Sequence, residues 1–193
     1  MPRPREFDDD AAVDAAMETF WTHGYEATTT AQLCESTGLG RGSLYNAFGS
    51  KHRLYELALD RYTERGYQDQ VDILRAPGTA GERLRALLVW VIDIDLADSA
   101  HRGCLALNAA TEAAGRTEPV MKLTRRHCER LEDVLREVIE NGQRDGEFRA
   151  DQSARQLART LLSTYYGLRT LGKITDDRAA LMDVTDGALA ALH

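Results

Sequence analysis

The body of the chain is almost free of proline. Four prolines occur in 193 residues, at positions 2, 4, 77 and 119. A proline inside a helix removes a backbone hydrogen bond and clashes with the preceding turn, so long proline-free stretches rich in Ala, Leu, Arg and Glu favour helix. A strand is predicted by a run of alternating β-branched residues bounded by turn residues, and the sequence contains no such run. We therefore expect an all-α protein.

Apolar periodicity and capping residues predict about nine helices. The first ends at Gly24, and Thr29 with Gln32 predicts a capping box at the start of the second. The second helix ends at Gly38. The later helices are expected at 41–48, 51–74, 79–97, 104–114, 120–144, 152–171 and 176–192.

These helices fall into two groups. Three come before residue 50 and the others follow, so we expect a three-helix domain at 1–50 and a larger helical domain at 51–193. The fourth helix joins them. Gly66 interrupts its helical pattern, either to permit bending or to make room for a packed neighbour.

The net charge of −7, from 24 Lys and Arg against 31 Asp and Glu, argues against general affinity for nucleic acid. However, residues 36–55 contain no Asp or Glu, although Arg41, Lys51, His52 and Arg53 lie there. Arg3 and Arg5 form a second small basic group. Because DNA binding needs a basic face rather than a basic protein, the overall charge does not exclude it.

The second and third helices, joined by a glycine-containing turn, have the layout of a helix-turn-helix. In that motif the second helix enters the major groove of DNA. Leu44, Ala47 and Phe48 are expected to face inward. Arg and Asn can bond two atoms of a guanine or an adenine edge. The expected outward residues are Arg41, Gly42, Ser43, Tyr45 and Asn46.

The first turn of the fourth helix contains three basic residues, Lys51, His52 and Arg53. The helix dipole disfavours cations there by roughly 0.3–1 kcal/mol each. This placement favours an external anion such as a DNA phosphate. A solvated basic turn is the alternative interpretation.

The string Leu44-Tyr45-x-x-Phe48-x-x-Lys51, with the glycines at 38 and 40 and the threonines at 28–30, resembles the DNA-binding domain of TetR-type transcriptional regulators over roughly residues 7–55. Gly40 stands where that family usually has a serine N-cap. The resemblance implies that 1–50 binds DNA and that 51–193 binds a small molecule and dimerises. It implies base reading by Arg41, Ser43 and Asn46 and phosphate contacts by Thr29, Tyr45 and Lys51. We also expect Thr30 and Gly42 among the DNA-binding residues.

The second domain offers fewer functional signals. The residues that could line an effector cavity are Trp90, Cys104, Asn108, His127 and Tyr165, and the alternative is that they are ordinary core residues. Cys104 is either a redox or electrophile sensor or an inert buried thiol. His101, Cys104, His127 and Cys128 are ligand types for zinc, but their spacing matches no established site. We expect no metal and no cofactor.

Apolar stripes on the last two helices predict a further packing surface. Their residues are Leu157, Leu161, Tyr165 and Leu168 on one helix and Leu181, Val184 and Leu189 on the other. In a homodimer these faces would form a four-helix bundle, as the resemblance implies; packing within one chain is the alternative.

The function that best fits these features is transcriptional repression, with a small-molecule effector releasing the protein from a palindromic operator. The alternative is a helical small-molecule-binding or redox-sensing protein that uses Cys104. An enzyme is not expected, because the glycines at 38, 40 and 42 have the wrong spacing for a dinucleotide loop and no serine lies in a nucleophile elbow. The N-terminus has no signal-peptide pattern, no apolar run could cross a membrane, and three scattered cysteines fit a reducing compartment, so we expect a cytoplasmic protein.

Overall fold

The computed structural model describes residues 9–112 and 117–193. Within these ranges the chain forms nine α-helices and no strand, which confirms the all-α prediction. The helices are α1 Asp9–His23, α2 Thr30–Thr37, α3 Arg41–Phe48, α4 Lys51–Leu74, α5 Ala80–Ala97, α6 Leu105–Thr111, α7 Glu118–Arg144, α8 Ala154–Leu171 and α9 Arg178–Ala190. The predicted basic group at Arg3 and Arg5 lies outside the described residues.

Side-chain caps set several helix boundaries. Thr29 and Gln32 form the predicted capping box, and Gly38 ends α2 in the left-handed conformation with φ of 69°. Ser153 forms a further capping box with Gln156, so α8 begins two residues later than the periodicity predicted. α7 begins two residues earlier than predicted, because proline is tolerated in the first turn of a helix. α6 ends at Thr111, and residues 113 and 114 of the predicted helix lie outside the described residues.

The described residues form two compact units. The first contains 9–64, 105–112 and 117–124, and the second contains 65–104 and 125–193. The helices α4 and α7 each begin in the first unit and end in the second. Packing therefore groups α6 with the first three helices, a relationship that the sequence division at residue 50 did not include.

The first unit is built around α1 to α4. Phe20, Leu33, Leu54 and Leu59 have no exposed surface, and Leu44 of α3 is 1% exposed. This core fixes the orientation of α3, because the buried side chains of that helix can lie on one face only.

The second unit packs α5 against both α8 and α9. The predicted apolar stripe on α8 is buried inside this single chain, as is Leu181 of α9, and Leu189 packs partly buried against the same core. Assigning the stripe to a dimer interface was wrong for these residues, since their packing partners are helices of their own chain. Val184 is the exception, with 39% of its surface exposed. No described helix combines the length and apolar character needed to cross a membrane.

Candidate nucleic-acid interface

The helix α3 presents a polar face to solvent and an apolar face to the core. Leu44 and Phe48 are buried, while Arg41, Ser43 and Asn46 are exposed. Gly42 and the N-cap Gly40 are also exposed, and a methyl group added at either would meet nothing within 4 Å. No side chain caps the N-terminus of α3, in agreement with glycine at position 40. This side of the helix can approach another surface closely.

Tyr45 joins α3 to α2. Its hydroxyl lies 2.7 Å from the hydroxyl of Thr30, and both side chains are partly buried. The two hydroxyls carry one proton each, and their mutual hydrogen bond uses one of them. The other proton is available to donate to an acceptor such as a phosphate oxygen. The guanidinium of Arg41 lies 5.9 Å from the centre of the Tyr45 ring.

Thr29 has a structural task in the free protein. Its hydroxyl accepts from the amide of Gln32 at 3.2 Å and lies 2.9 Å from the Gln32 side-chain oxygen, to which it donates. That oxygen also accepts from the Thr29 amide at 2.8 Å. A phosphate contact from this hydroxyl would therefore compete with the capping box.

Lys51 begins α4 beside the loop that follows α1. Its Nζ donates to the carbonyl oxygen of Glu26 at 3.3 Å and lies 4.6 Å from the centre of the Tyr25 ring. An ammonium group has three donors, so these contacts leave capacity for an external anion.

His52 and Arg53 have an anion within the chain. Glu56, one turn along α4, lies 2.6 Å from the Arg53 guanidinium and 3.4 Å from Nε2 of His52. Nε2 of His52 also lies 2.8 Å from the hydroxyl of Thr117. The inference that the basic first turn calls for an external phosphate was therefore too broad, because the Glu56 carboxylate already pairs with Arg53 and lies next to His52.

The expected effector residues divide between the two units. Cys104, His127 and Tyr165 are buried in the second unit, and Trp90 is half-buried there, whereas Asn108 belongs to α6 in the first unit. Burial is the main reason that the pKa of the Tyr165 hydroxyl is raised, and the neighbouring Cys104 thiol adds to the effect. The structure thus brings Cys104 and Tyr165 into one neighbourhood.

Three further polar residues surround Tyr165, and sequence reasoning missed them. Burial raises the pKa of Tyr165 to about 12, so its hydroxyl stays protonated, and it accepts from Nε2 of Gln70 at 2.9 Å. Gln70 is 2% exposed, and its side-chain oxygen accepts no hydrogen bond from the described residues. One turn along α8, Arg169 pairs with Asp95 at 3.1 Å, and each is 4% exposed. The sequence carried no signal for these residues, because their burial depends on the packing of α4, α5 and α8.

Among the described residues, no group of three or more His, Cys, Asp or Glu side chains is arranged to hold a metal ion. The second thiol of this region, Cys128, donates to the Tyr166 hydroxyl at 3.3 Å, and burial raises its pKa.

Comparison with known proteins places this architecture. Residues 12–58 match the family described as bacterial regulatory proteins, tetR family, and residues 80–187 match the tetracyclin repressor-like C-terminal domain. The chain belongs to the TetR family. Like its relatives, it is a helix-turn-helix transcriptional regulator that binds DNA.

Three TetR-family proteins show the extent of the similarity. The HTH-type transcriptional regulator YezE of Bacillus subtilis is 28% identical over 193 residues, which is the whole of both chains. The transcriptional repressor ComR of Escherichia coli is 52% identical over 63 residues, 33% of this chain and 30% of ComR. A cysteine mutant of the regulator CifR, solved with 26-bp operator DNA, superposes with a TM-score of 0.85 at 32% identity and covers 99% of this chain and 100% of its own.

In this chain the polar residues of the second unit were harder to find from sequence than those of the helix-turn-helix. The helix-turn-helix residues are close together along the chain, so their spacing alone places them on one helix face. The polar residues of the second unit lie on three helices, and Gln70 and Tyr165 are 95 residues apart. Only packing brings them together.

Proposed function

We propose that this chain is a homodimeric repressor that binds a palindromic operator and is released from it by a small-molecule effector. The observation that carries the proposal is the two-sided α3, with Arg41, Ser43 and Asn46 exposed opposite the buried Leu44 and Phe48. A helix of this kind fits the major groove, which is about 12 Å wide. The related repressors ComR, BdcR and AcnR support the repressing rather than the activating role.

The proposed division of labour separates bases from backbone. The Arg41 guanidinium can donate two hydrogen bonds to a guanine edge, and the Asn46 amide has the donor and acceptor that fit an adenine edge. Ser43 lies on the same helix. Lys51 and the Thr30–Tyr45 hydroxyl pair hold phosphates, whereas Thr29 caps α2 and contributes less. Gly42 allows close approach of the backbone to DNA. In this proposal residues 1–50 carry DNA binding, and residues 51–193 carry effector binding and dimerisation.

The proposed effector contacts lie in the second unit around Tyr165. Tyr165 supplies a hydroxyl donor, and the side-chain oxygen of Gln70 supplies an acceptor. Trp90, Cys104 and His127 are the expected residues of this unit that add apolar and polar surface. An effector that binds the folded state at 100 times its dissociation constant adds about 2.7 kcal/mol to the free energy of unfolding, so a thermal-shift screen of hydrophobic compounds bearing a hydroxyl or amide would find it.

Two observations weigh against a thiol sensor at Cys104. The residue is 4% exposed, and the nearby cation Arg102 is bound to Asp98 at 3.1 Å. Reactive cysteines are accessible and next to positive charge. The similar solved structures include cysteine mutants of CifR and a reduced form of NemR. We therefore test the sensor as a second candidate by labelling the folded protein with a thiol reagent. Rapid labelling of Cys104 would favour the sensor.

The proposed dimer uses the outer faces of α8 and α9 rather than the buried stripe. Gly167 and Gly187 have nothing within 4 Å of an added methyl group, and Val184 is exposed. Small residues allow helices from two subunits to approach closely. A bound dimer would place two recognition helices about 34–36 Å apart, one turn of DNA.

Because the proposed activity is binding, it requires no catalytic residue. A regulator of bacterial transcription is expected to act in the cytoplasm, where the DNA is.

Operator binding is tested by a fluorescence-anisotropy titration of the protein against labelled DNA from upstream of its own gene and against a scrambled duplex of equal length. A dissociation constant of about 10⁻⁸ M or lower on the upstream DNA, at least about a thousandfold tighter than on the scrambled duplex, supports the proposal. Equal affinity for both duplexes would refute operator recognition at that site.

A further inference from the structure

Glu112 fastens the end of α6 to the loop after α1. Its Oε2 accepts from the amide of Tyr25 at 2.9 Å, and its Oε1 accepts from the amide of Glu26 at 2.7 Å. These residues are 86 and 87 positions apart in the chain but belong to one compact unit. One carboxylate thus binds two successive backbone amides of the helix-turn-helix domain.

The local sequence gives no reason for an acid at this position. Glu112 follows the last residue of α6, where the negative end of the helix dipole disfavours a carboxylate. Two charge-assisted hydrogen bonds offset that cost. Gly24 makes room for them, since its φ is +78° and a methyl group added there would lie 3.2 Å from Oε1 of Glu112. The geometry therefore depends on a carboxylate on one side and a glycine on the other.

The same peptide unit supports Lys51. Glu26 donates its amide to Glu112 and accepts from the Lys51 ammonium through its carbonyl oxygen at 3.3 Å. Glu112 also accepts from the backbone amide of Tyr25, and the ring of Tyr25 lies 4.6 Å from Nζ of Lys51. Both contacts of the lysine are made to the two residues that Glu112 fixes.

We propose that Glu112 is a positioning residue for DNA binding, which holds the 24–26 loop so that Lys51 is pre-ordered for a phosphate. The proposal rests on the phosphate role of Lys51 proposed above. A lysine ordered before DNA arrives loses less side-chain freedom on binding than a mobile one. A movement of the C-terminal end of α6 would therefore shift Tyr25 and Glu26 and, through them, the Lys51 side chain.

The sign of the effect separates this role from simple electrostatics. Replacing a glutamate by a neutral residue removes a negative charge, which should strengthen binding to DNA. If Glu112 positions Lys51, Glu112→Ala weakens binding instead. Glu118→Ala is the matched control, because Glu118 is exposed in the first turn of α7 in the same unit and carries the same charge.

The experiment is a double-mutant cycle on the full chain with Glu112→Ala, Lys51→Ala and both together. Anisotropy titrations use the upstream duplex and a scrambled duplex at low salt. We expect Glu112→Ala to weaken binding to both duplexes by at least about twofold, and to have no further effect once Lys51 is alanine. Glu118→Ala should leave affinity equal to that of the wild type or slightly tighter, with or without Lys51.

Two results would overturn the proposal: unchanged or tighter binding by Glu112→Ala, or equal fold-losses with and without Lys51. If Lys51→Ala itself left binding unchanged, the phosphate role of Lys51 would fail instead. Glu112→Gln keeps the shape of the side chain and aims its amide group at a backbone donor, so it should reproduce Glu112→Ala if the alanine variant does not fold. Amide exchange at Tyr25 and Glu26 should rise in either variant, and unchanged exchange would contradict the two hydrogen bonds.

Discussion

At the scale of single residues, the second unit contains a buried ion pair between Asp95 and Arg169. Both side chains are almost fully removed from water. Burial raises the pKa of Asp95 to about 6, because loss of hydration disfavours the carboxylate more than Arg169 stabilises it. A buried pair of this kind adds little net stability, but removal of one partner leaves an uncompensated buried charge.

The raised pKa makes stability depend on pH with a definite sign. Between about pH 4 and 6 the unfolded chain has lost the Asp95 proton while the folded chain keeps it, so the free energy of unfolding falls as the pH rises. Relative to Asp95→Asn, which cannot titrate, we expect the wild type to lose roughly 2–3 kcal/mol across this window. Urea unfolding of both proteins at pH 4, 5, 6 and 7 measures the difference. A wild type that gains stability relative to the variant would mean that the attraction of Arg169 outweighs desolvation.

Residues close in the chain could be assigned from sequence, and residues brought together by packing could not. The spacing of Thr29, Gln32, Leu44 and Phe48 was enough to predict a capping box and a two-sided helix. The contacts of Glu112 with the 24–26 loop follow from tertiary packing, and a single glutamate carries no sequence signal for them.

At the scale of helices, α4 settles one of the alternatives that the sequence left open. An added methyl group at Gly66 would meet nothing within 4 Å, so this glycine does not make room for a packed neighbour. The helix has 24 residues and a length of about 36 Å. Gly66 therefore lowers the helix propensity in the middle of a long helix and is not required for packing.

Gly66→Ala should raise the free energy of unfolding by about 0.5–1 kcal/mol and leave operator affinity unchanged, since alanine is the better helix former and has space. Gly142→Ala in α7 is the paired test, because its methyl group would collide with the Phe148 ring and with Ala80. That variant should be destabilised. Thermal and urea unfolding give both values. Destabilisation by Gly66→Ala would indicate that α4 requires the glycine for its shape.

The helix α8 shows the limit of periodicity as evidence. Leu157, Leu161 and Leu168 recur at helical spacing, which correctly predicts that their face is buried. The pattern contains no information about whether the same chain or a second copy covers that face. The covering helices include α5 and α9 of the same chain.

At the scale of the whole molecule, the proposed dimer relies on surfaces that one chain leaves exposed. Gly187→Arg places a long cation on the outer face of α9 and should improve the helix propensity of the segment, so lost dimerisation could not be attributed to unfolding. In sedimentation at micromolar concentration we expect a dimer for the wild type and a monomer for the variant. Thr22→Arg, at an exposed position of α1, is the control and should remain dimeric. A monomeric wild type would remove the palindromic operator from the proposal.

Fold class, helix number and the two-sided α3 were all predictable, because each depends on patterns within about 30 residues. The grouping of α6 with the first unit was not, since it results from contacts between segments more than 80 residues apart.

The central claim is that α3 reads bases while Lys51 holds the backbone, and one comparison tests it most directly. Anisotropy titrations of Asn46→Ala and Lys51→Ala against the upstream and scrambled duplexes, across a series of salt concentrations, give affinity, specificity and salt slope together. Asn46→Ala should lose about 1–3 kcal/mol on the upstream duplex and little on the scrambled one, with an unchanged slope. Lys51→Ala should weaken both duplexes alike and reduce the slope by about one unit. Equal losses on both duplexes for both variants would contradict the division of roles on which the account of DNA recognition depends.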